Sequence, residues 1–308
     1  MTAIPTTTSS TRPSSPSTGD VYFETDTKNY IIYDGYNWYV YNHDNTTAFS
    51  NTLSLNFDGS NDFLTTNYSP TSSSAFSVSM WTKSSNTTQS MAYFSNGTGG
   101  GLAGGFQLLT PSTTKNFYVL VSNGSSSYAN AAFGVTAGSL GIRDGEWHHL
   151  ALTINGTAIK LYLDGGDAAI NTGSPTNTQG SPYATATSTV SYTGNTGNVY
   201  YLGRNGGYSG YWYSGTQDEI AFFKTELSGA NISAIYNSGV PNDVGANGLN
   251  LSPDAYFRCG DGSSDTNSSG GVASNADSVG TVTSVVNGYT ATQSTTANKP
   301  TYSNDVPS

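Results

Sequence analysis

The chain has 308 residues, of which one in ten is charged, and a formal net charge of −10 with a pI near 4.4. That excess of acid opposes binding to nucleic acid, whose affinity rests on Lys and Arg neutralising phosphates. A single cysteine, Cys259, rules out an internal disulfide framework, and no run approaches the roughly 20 apolar residues of a spanning helix. Gly, Ser, Thr, Asn and Tyr dominate over helix formers, which predicts an all-β protein.

Residues 1–19 are Ser, Thr and Pro rich with little to bury, an arm that needs either a neighbouring protein or the chain's own surface to order it. No apolar stretch flanked by basic residues marks a signal peptide here, so a soluble protein made in the cytoplasm of its host cell is expected. The strands expected next are Val21 to Glu24, Asn29 to Tyr33 and Trp38 to Tyr41, with Asp34-Gly35 as a hairpin signal. Tyr22, Tyr30, Tyr33, Tyr36 and Trp38 give this small element an aromatic layer, suited to attachment on a neighbour or to internal packing.

From 51 to 240 short β runs follow one another between Gly, Asn and Ser turns, without a helical period, as in a sandwich. Phe76 to Thr82 alternates apolar and polar residues, so one of its faces must be buried. Trp147 to Ile154 and Ala158 to Leu163 form a hairpin through Asn155-Gly156, a type I′ pair. Leu227 to Asn237 reads as one short helix with Ser228 as N-cap. Residues 241–308 return to Ser, Thr, Gly and Asn and are set apart as an irregular or β-rich extension.

Catalytic chemistry has little footing. Glycosidases need two carboxylates flanking one bond, and Asp218-Glu219, being adjacent on a strand, point to opposite faces. The same geometry separates His148 from His149, and Cys259 has no assignable base partner. No catalytic residue is assigned and the chain is expected not to be an enzyme. Tyr208, Tyr211, Trp212 and Tyr213 form an aromatic stretch able to stack on sugar rings.

Six blocks carry a family likeness in order: Phe57-Asp58-Gly59-Ser60-Asn61-Asp62-Phe63, Phe76 to Trp81, Glu146 to Leu152, Leu161 to Gly165, Leu202-Gly203-Arg204, and Gly215 to Ile220 running on to Leu227-Ser228. They resemble the laminin-G-like, concanavalin-A-type domains. That resemblance implies an antiparallel jelly-roll sandwich with His148 and His149 in a structural strand. It also implies that at least one ring among Tyr208 to Tyr213 lies in the core, and it makes Asp58 and Asp218 the candidate ligands of a structural calcium. The glucanase branch's Glu-x-Asp-x-(x)-Glu strand has no counterpart in the sequence.

Residues 19–38 are similar to a short module near the N-termini of tailed-phage fibre and decoration proteins. Leu251 to Gly262 and Thr290 to Tyr302 resemble segments of marine phage proteins. These likenesses imply a virion surface protein of the capsid or tail, attached to other virion proteins through its N-terminal arm, self-associating or single, and meeting host or environmental polysaccharide. A soluble lectin and a polysaccharide depolymerase are the rivals.

Overall fold

In the computed structural model the described residues are 4–26, 29–33, 35–42, 49–70, 73–96, 105–110, 116–122, 128–136, 142–166, 184–187, 191–192, 198–206, 210–246 and 248–308. The chain divides into two compact units, Met1–Ser50 and Asn51–Ser308.

The first unit is one sheet in the order β1-β2-β3-β4, from Thr6–Thr7 (β1), Val21–Glu24 (β2), Asn29–Tyr33 (β3) and Trp38–Asn42 (β4). The Ser/Thr/Pro arm is held by this sheet itself. Thr6 and Thr7 pair in parallel with Phe23 and Glu24, Ser9 caps Asp26 through its amide and hydroxyl, and Arg12 Nε lies 2.5 Å from the buried carboxylate of Glu24. Polar side chains thus do what apolar ones could not, which is why composition alone suggests a loose arm. Tyr22 and Tyr33 each pack on Trp38, Tyr30 packs on Phe23, and Tyr36 stands 87% exposed in the turn.

The second unit is a sandwich. Its strands are β5 (Ser54–Asp58), β6 (Leu64–Thr66), β7 (Ala75–Lys83), β8 (Met91–Asn96), β9 (Gly105–Thr110), β10 (Asn116–Ser122), β11 (Tyr128–Thr136), β12 (Trp147–Asn155), β13 (Ala158–Leu163), β14 (Ala184–Thr187), β15 (Tyr200–Leu202) and β16 (Ser214–Phe223), followed by β17 (Ala255–Phe257), β18 (Thr266–Asn267), β19 (Val279–Thr283), β20 (Thr290–Thr292) and β21 (Thr301–Ser303). One sheet runs β14-β13-β12-β7-β16-β5-β21, with β17 also on β16; the other runs β11-β10-β9-β8-β15-β6-β20-β19-β18. Every pairing within these two sheets is antiparallel.

Alternation drives the layering. Phe76, Val78 and Met80 of β7 pack with Leu64, Phe94, Tyr200 and Leu202 in one buried core, and each such side chain contributes about 1.5–3 kcal/mol by leaving water. On the outer face of the first sheet Ala151, Tyr162, Ala221 and Phe223 are covered by Leu227, Ile232 and Ile235 on and beside the helix α1 (Gly229–Tyr236). Ser228 caps α1 with a full capping box and Asn237 ends it in a left-handed conformation.

Two local readings shift. The hairpin loop is Gly156-Thr157 rather than Asn155-Gly156, since Asn155 pairs with Ala158. Positive φ falls only on Gly156, the first loop position, which is the type II′ pattern. Residues 241–308 join both sheets: β17 pairs β16, β21 pairs β5 and β20 pairs β6. Phe257, Val279, Val282, Ala291 and Tyr302 are buried in the core. Few apolar residues suffice here because they are spaced to fall inward on short strands.

Candidate functional site

The aromatic stretch after β15 splits between core and surface. Tyr213 is fully buried; its hydroxyl bonds the Thr82 hydroxyl and donates to the Lys83 carbonyl at 3.1 Å, and its ring meets Phe57 and Tyr93. It is a core residue and not a sugar contact, as the family likeness requires of one ring. Tyr208 lies outside the described residues. Tyr211 and Trp212 are half-buried.

Trp212 belongs to a cluster that the sequence scatters over 150 positions. Tyr200 and Leu202 point into the core, so Tyr201 between them faces outward. Phe63, at the start of β6, lies 6.4 Å from Tyr201 and 5.9 Å from Trp212, ring to ring. The Arg204 guanidinium sits over all three rings, 4.3 Å from the Phe63 centroid, 4.9 Å from Tyr201 and 5.5 Å from Trp212. Burial lowers the Arg204 pKa from the usual arginine value, and the neighbouring Tyr201 opposes the shift. Sequence reasoning found Trp212 and missed Phe63, Tyr201 and Arg204, although Leu202-Gly203-Arg204 had marked the loop.

The loop that carries Arg204 is fixed by backbone and polar contacts. Gly203 has φ +79°, and a Cβ there would lie 2.4 Å from the Phe57 ring. Its carbonyl accepts from Tyr213 N, the Arg204 carbonyl accepts from Ser95 Oγ at 2.9 Å, and Gly206 N donates back to Ser95 Oγ at 2.7 Å. Asn205 is buried and donates to Gln107 Oε1. Phe63 is aimed by the turn before it: Asp58 Oδ1 accepts from Ser60 N and Asn61 N, while Asp58 N donates to Asp62.

Those bonds define what Asp58 does. Asp218 lies elsewhere, because in the β5–β16 ladder Asp58 stands opposite Ser214, four residues up the strand from Asp218 and about 13 Å away at strand spacing. The two do not form a shared calcium site, and among the described residues no group of three or more His, Cys, Asp or Glu side chains is arranged to hold a metal. Asp218 and Glu219 mark the point where β16 changes partner from β5 to β17, with Glu219 in a bulge at φ +48°. Glu219 bonds the Tyr256 hydroxyl and Arg258, and burial, against these partners, raises its pKa to about 7. Both carboxylates are buried.

Apart from this cluster, a concavity of about 290 Å³ opens on the outer face of the first sheet between Trp81, Glu146, Trp147, His148, Asp164 and Tyr236. His149, beside it, is wholly buried, takes a hydrogen bond with Ser79 Oγ at 2.8 Å, and burial lowers its pKa to about 3. Ser79 is equally inaccessible, so this serine–histidine pair is structural.

Fold and ladder together define a laminin-G-like β-sandwich. The chain belongs to the concanavalin A-like lectin/glucanases superfamily through its Laminin_G_3 model, matched over residues 58–233. Among solved structures it is similar to a candidate carbohydrate-binding protein of Bacteroides ovatus, with 14% identity over 95% of this chain and 71% of that one and a TM-score of 0.55. It is similar too to a heptameric SAP-like pentraxin of Limulus polyphemus (12% identity, 60% and 82% covered, TM-score 0.39). Domain 4 of a Geobacillus stearothermophilus arabinanase, solved with arabinotriose, matches at 20% identity over 54% and 68% with a TM-score of 0.38. No curated protein matches the sequence. No helix among the described residues is long and apolar enough to cross a membrane.

Proposed function

We propose that the chain is a non-catalytic saccharide-binding module displayed on a phage particle. The observation that carries the saccharide reading is the half-buried cluster of Phe63, Tyr201 and Trp212, with Tyr211 beside Trp212, on the outer face of a rigid sheet. Aromatic surface that is fixed from below, wet on one side and bordered by polar groups suits the C–H face of a sugar ring. The carbohydrate-binding description of the Bacteroides ovatus protein, which has this fold, supports it.

The non-catalytic part rests on the burial of Asp218, Glu219, His149 and Ser79. The virion part rests on the phage-like segments at 19–38, 251–262 and 290–302 and on the first fifty residues forming a unit of their own. Tyr36, almost fully exposed there, is the first residue to test as a contact to a particle protein. Many copies on one particle would make weak individual sites effective through avidity.

Affinity electrophoresis of the full chain through gels containing polysaccharides tests the first part: retardation by at least one, lost in Trp212→Ala, is the expected result, and equal mobility in all of them overturns it. Mass spectrometry of purified particles tests the second, and absence of the chain from them removes the virion assignment.

A further inference from the structure

The chemistry of the outer cluster is set by its cation. Five of the lysines and arginines lie against carboxylates: Arg12 with Glu24, Lys83 with Asp305, Lys160 with Glu226, Lys224 with Asp254 and Arg258 with Glu219. Arg143 is spent inside the fold on the carbonyls of Asn86, Gln89 and Thr110. Arg204 differs from the five in having no carboxylate partner among the described residues, in a chain with twice as many acids as bases. It differs from the buried Arg143 in being half-exposed.

Its geometry also differs. Nε and Nη2 donate to the carbonyls of Asn205 and Gly206 at 3.2 and 3.4 Å, which fixes the plane of the guanidinium. Nη1 has no protein acceptor among the described residues. Beneath the guanidinium, the near faces of Phe63, Tyr201 and Trp212 are already covered. A purely neutral sugar would therefore find part of the aromatic surface taken, whereas an anion would find a charged, pre-oriented N–H edge. An arginine held in this way loses little freedom on binding, and the rings around it weaken its hydration without neutralising it.

We infer that the Arg204 cluster binds acidic saccharides, the ring lying on the outer part of Trp212 or Tyr201 and its carboxylate taking the free edge of the Arg204 guanidinium. This rests on the saccharide-binding reading above and narrows it to uronate-bearing glycans.

The test is calorimetric titration of the full chain with oligomers of galacturonate, mannuronate and glucuronate, each paired with its methyl ester, which keeps the ring and removes the charge. Neutral mannan and arabinan oligomers complete the set. At least one acid form is expected to bind at least about tenfold more tightly than its ester, to weaken with added salt, and to fall to the ester's affinity in Arg204→Gln, with Arg204→Lys recovering part of the difference. Acid and ester forms binding alike overturns the inference, and because that comparison uses the unaltered chain it does not depend on any variant folding. Binding of neutral oligomers with no preference for the acids sinks this inference alone and leaves the saccharide reading standing. No binding of any oligomer sinks both.

Discussion

The imidazole of His148 bonds the carboxylate of Asp164 at 2.9 Å through Nδ1, deep against the first sheet, and reaches Asp144 at 3.2 Å through Nε2. Asp164 Oδ1 also accepts from His149 N, so one carboxylate ties the ring and the strand together. Burial opposes charge on His148, but the hydrogen bonds and charges of Asp164 and Asp144 outweigh it and its pKa is raised. The folded state therefore holds this proton more tightly than the unfolded state. The pair's contribution is complete below the unfolded histidine value of about 6.5 and is lost as pH rises through the folded one.

Asp265 adds to the same trend. Burial raises its pKa to about 6, against the backbone N–H groups of Thr283, Gly260 and Gly262 that favour its charge. Its proton too is held more tightly in the folded state, so stability falls as pH climbs from 3.8 through about 6. His149, whose pKa burial lowers to about 3, works the other way below its unfolded value of about 6.5, so the melting temperature is expected to fall from about pH 6.5 upward, where His148 and Glu219 still give up protons. Asp164→Ala should cost about 3 kcal/mol by leaving a buried imidazole without its main partner, and should flatten the upper part of that profile. A melting temperature that rises with pH over this range would contradict the assignment.

Removal of residues 241–308 is expected to unfold the sandwich rather than trim it. Phe257 packs edge-on against Phe222 at 6.4 Å, and Phe222 in turn meets Tyr68, Phe76, Phe94 and Tyr200 in the centre of the core. The truncated chain would expose that cluster and leave the outer edge of β5 without β21. Circular dichroism and proton spectra of residues 1–240 check this. Within the intact chain, Phe222→Ala should lower stability by about 3–5 kcal/mol in denaturant titration.

Strands with strict alternation or a turn signal were legible in the sequence: β7, the β12–β13 hairpin and the capped helix fall within a residue or two of expectation. The short strands β17 to β21 were not, because runs of two to five residues are too short to carry a periodic signal. β16 begins at Ser214, well before the apolar Ile220 to Phe223, since its first half is polar and pairs with β5 through Thr216 and Gln217. The site was half legible. Trp212 stood out by composition, but the partners that orient it come from strands that only the jelly roll brings together, and no local pattern marks Arg204 as lacking a carboxylate.

Chelation is expected to leave the fold unchanged. Asp58 spends its carboxylate on its own turn and Asp218 is buried at the strand junction where burial holds its pKa well above the usual range. A melting temperature that moves when EDTA or calcium is added would show a cation site built by other residues.

Gly203→Ala separates the platform from the fold that carries it. The residue holds φ +79° and its missing Cβ makes room for the Phe57 ring, so alanine meets both a strained backbone and a side-chain clash. Phe57 is core and cannot move far, so the loop must shift instead, and with it the hydrogen bonds of Arg204 and Gly206 to Ser95. The expected loss is about 1–3 kcal/mol, enough to lower the melting temperature without unfolding the sandwich. Saccharide affinity should fall with it, because the guanidinium and its rings lose their alignment together. Crystallography or ring-proton shifts of Phe63 and Tyr201 in the variant would register the displacement; an unmoved Arg204 with intact binding would mean that Ser95, and not the glycine turn, sets the loop.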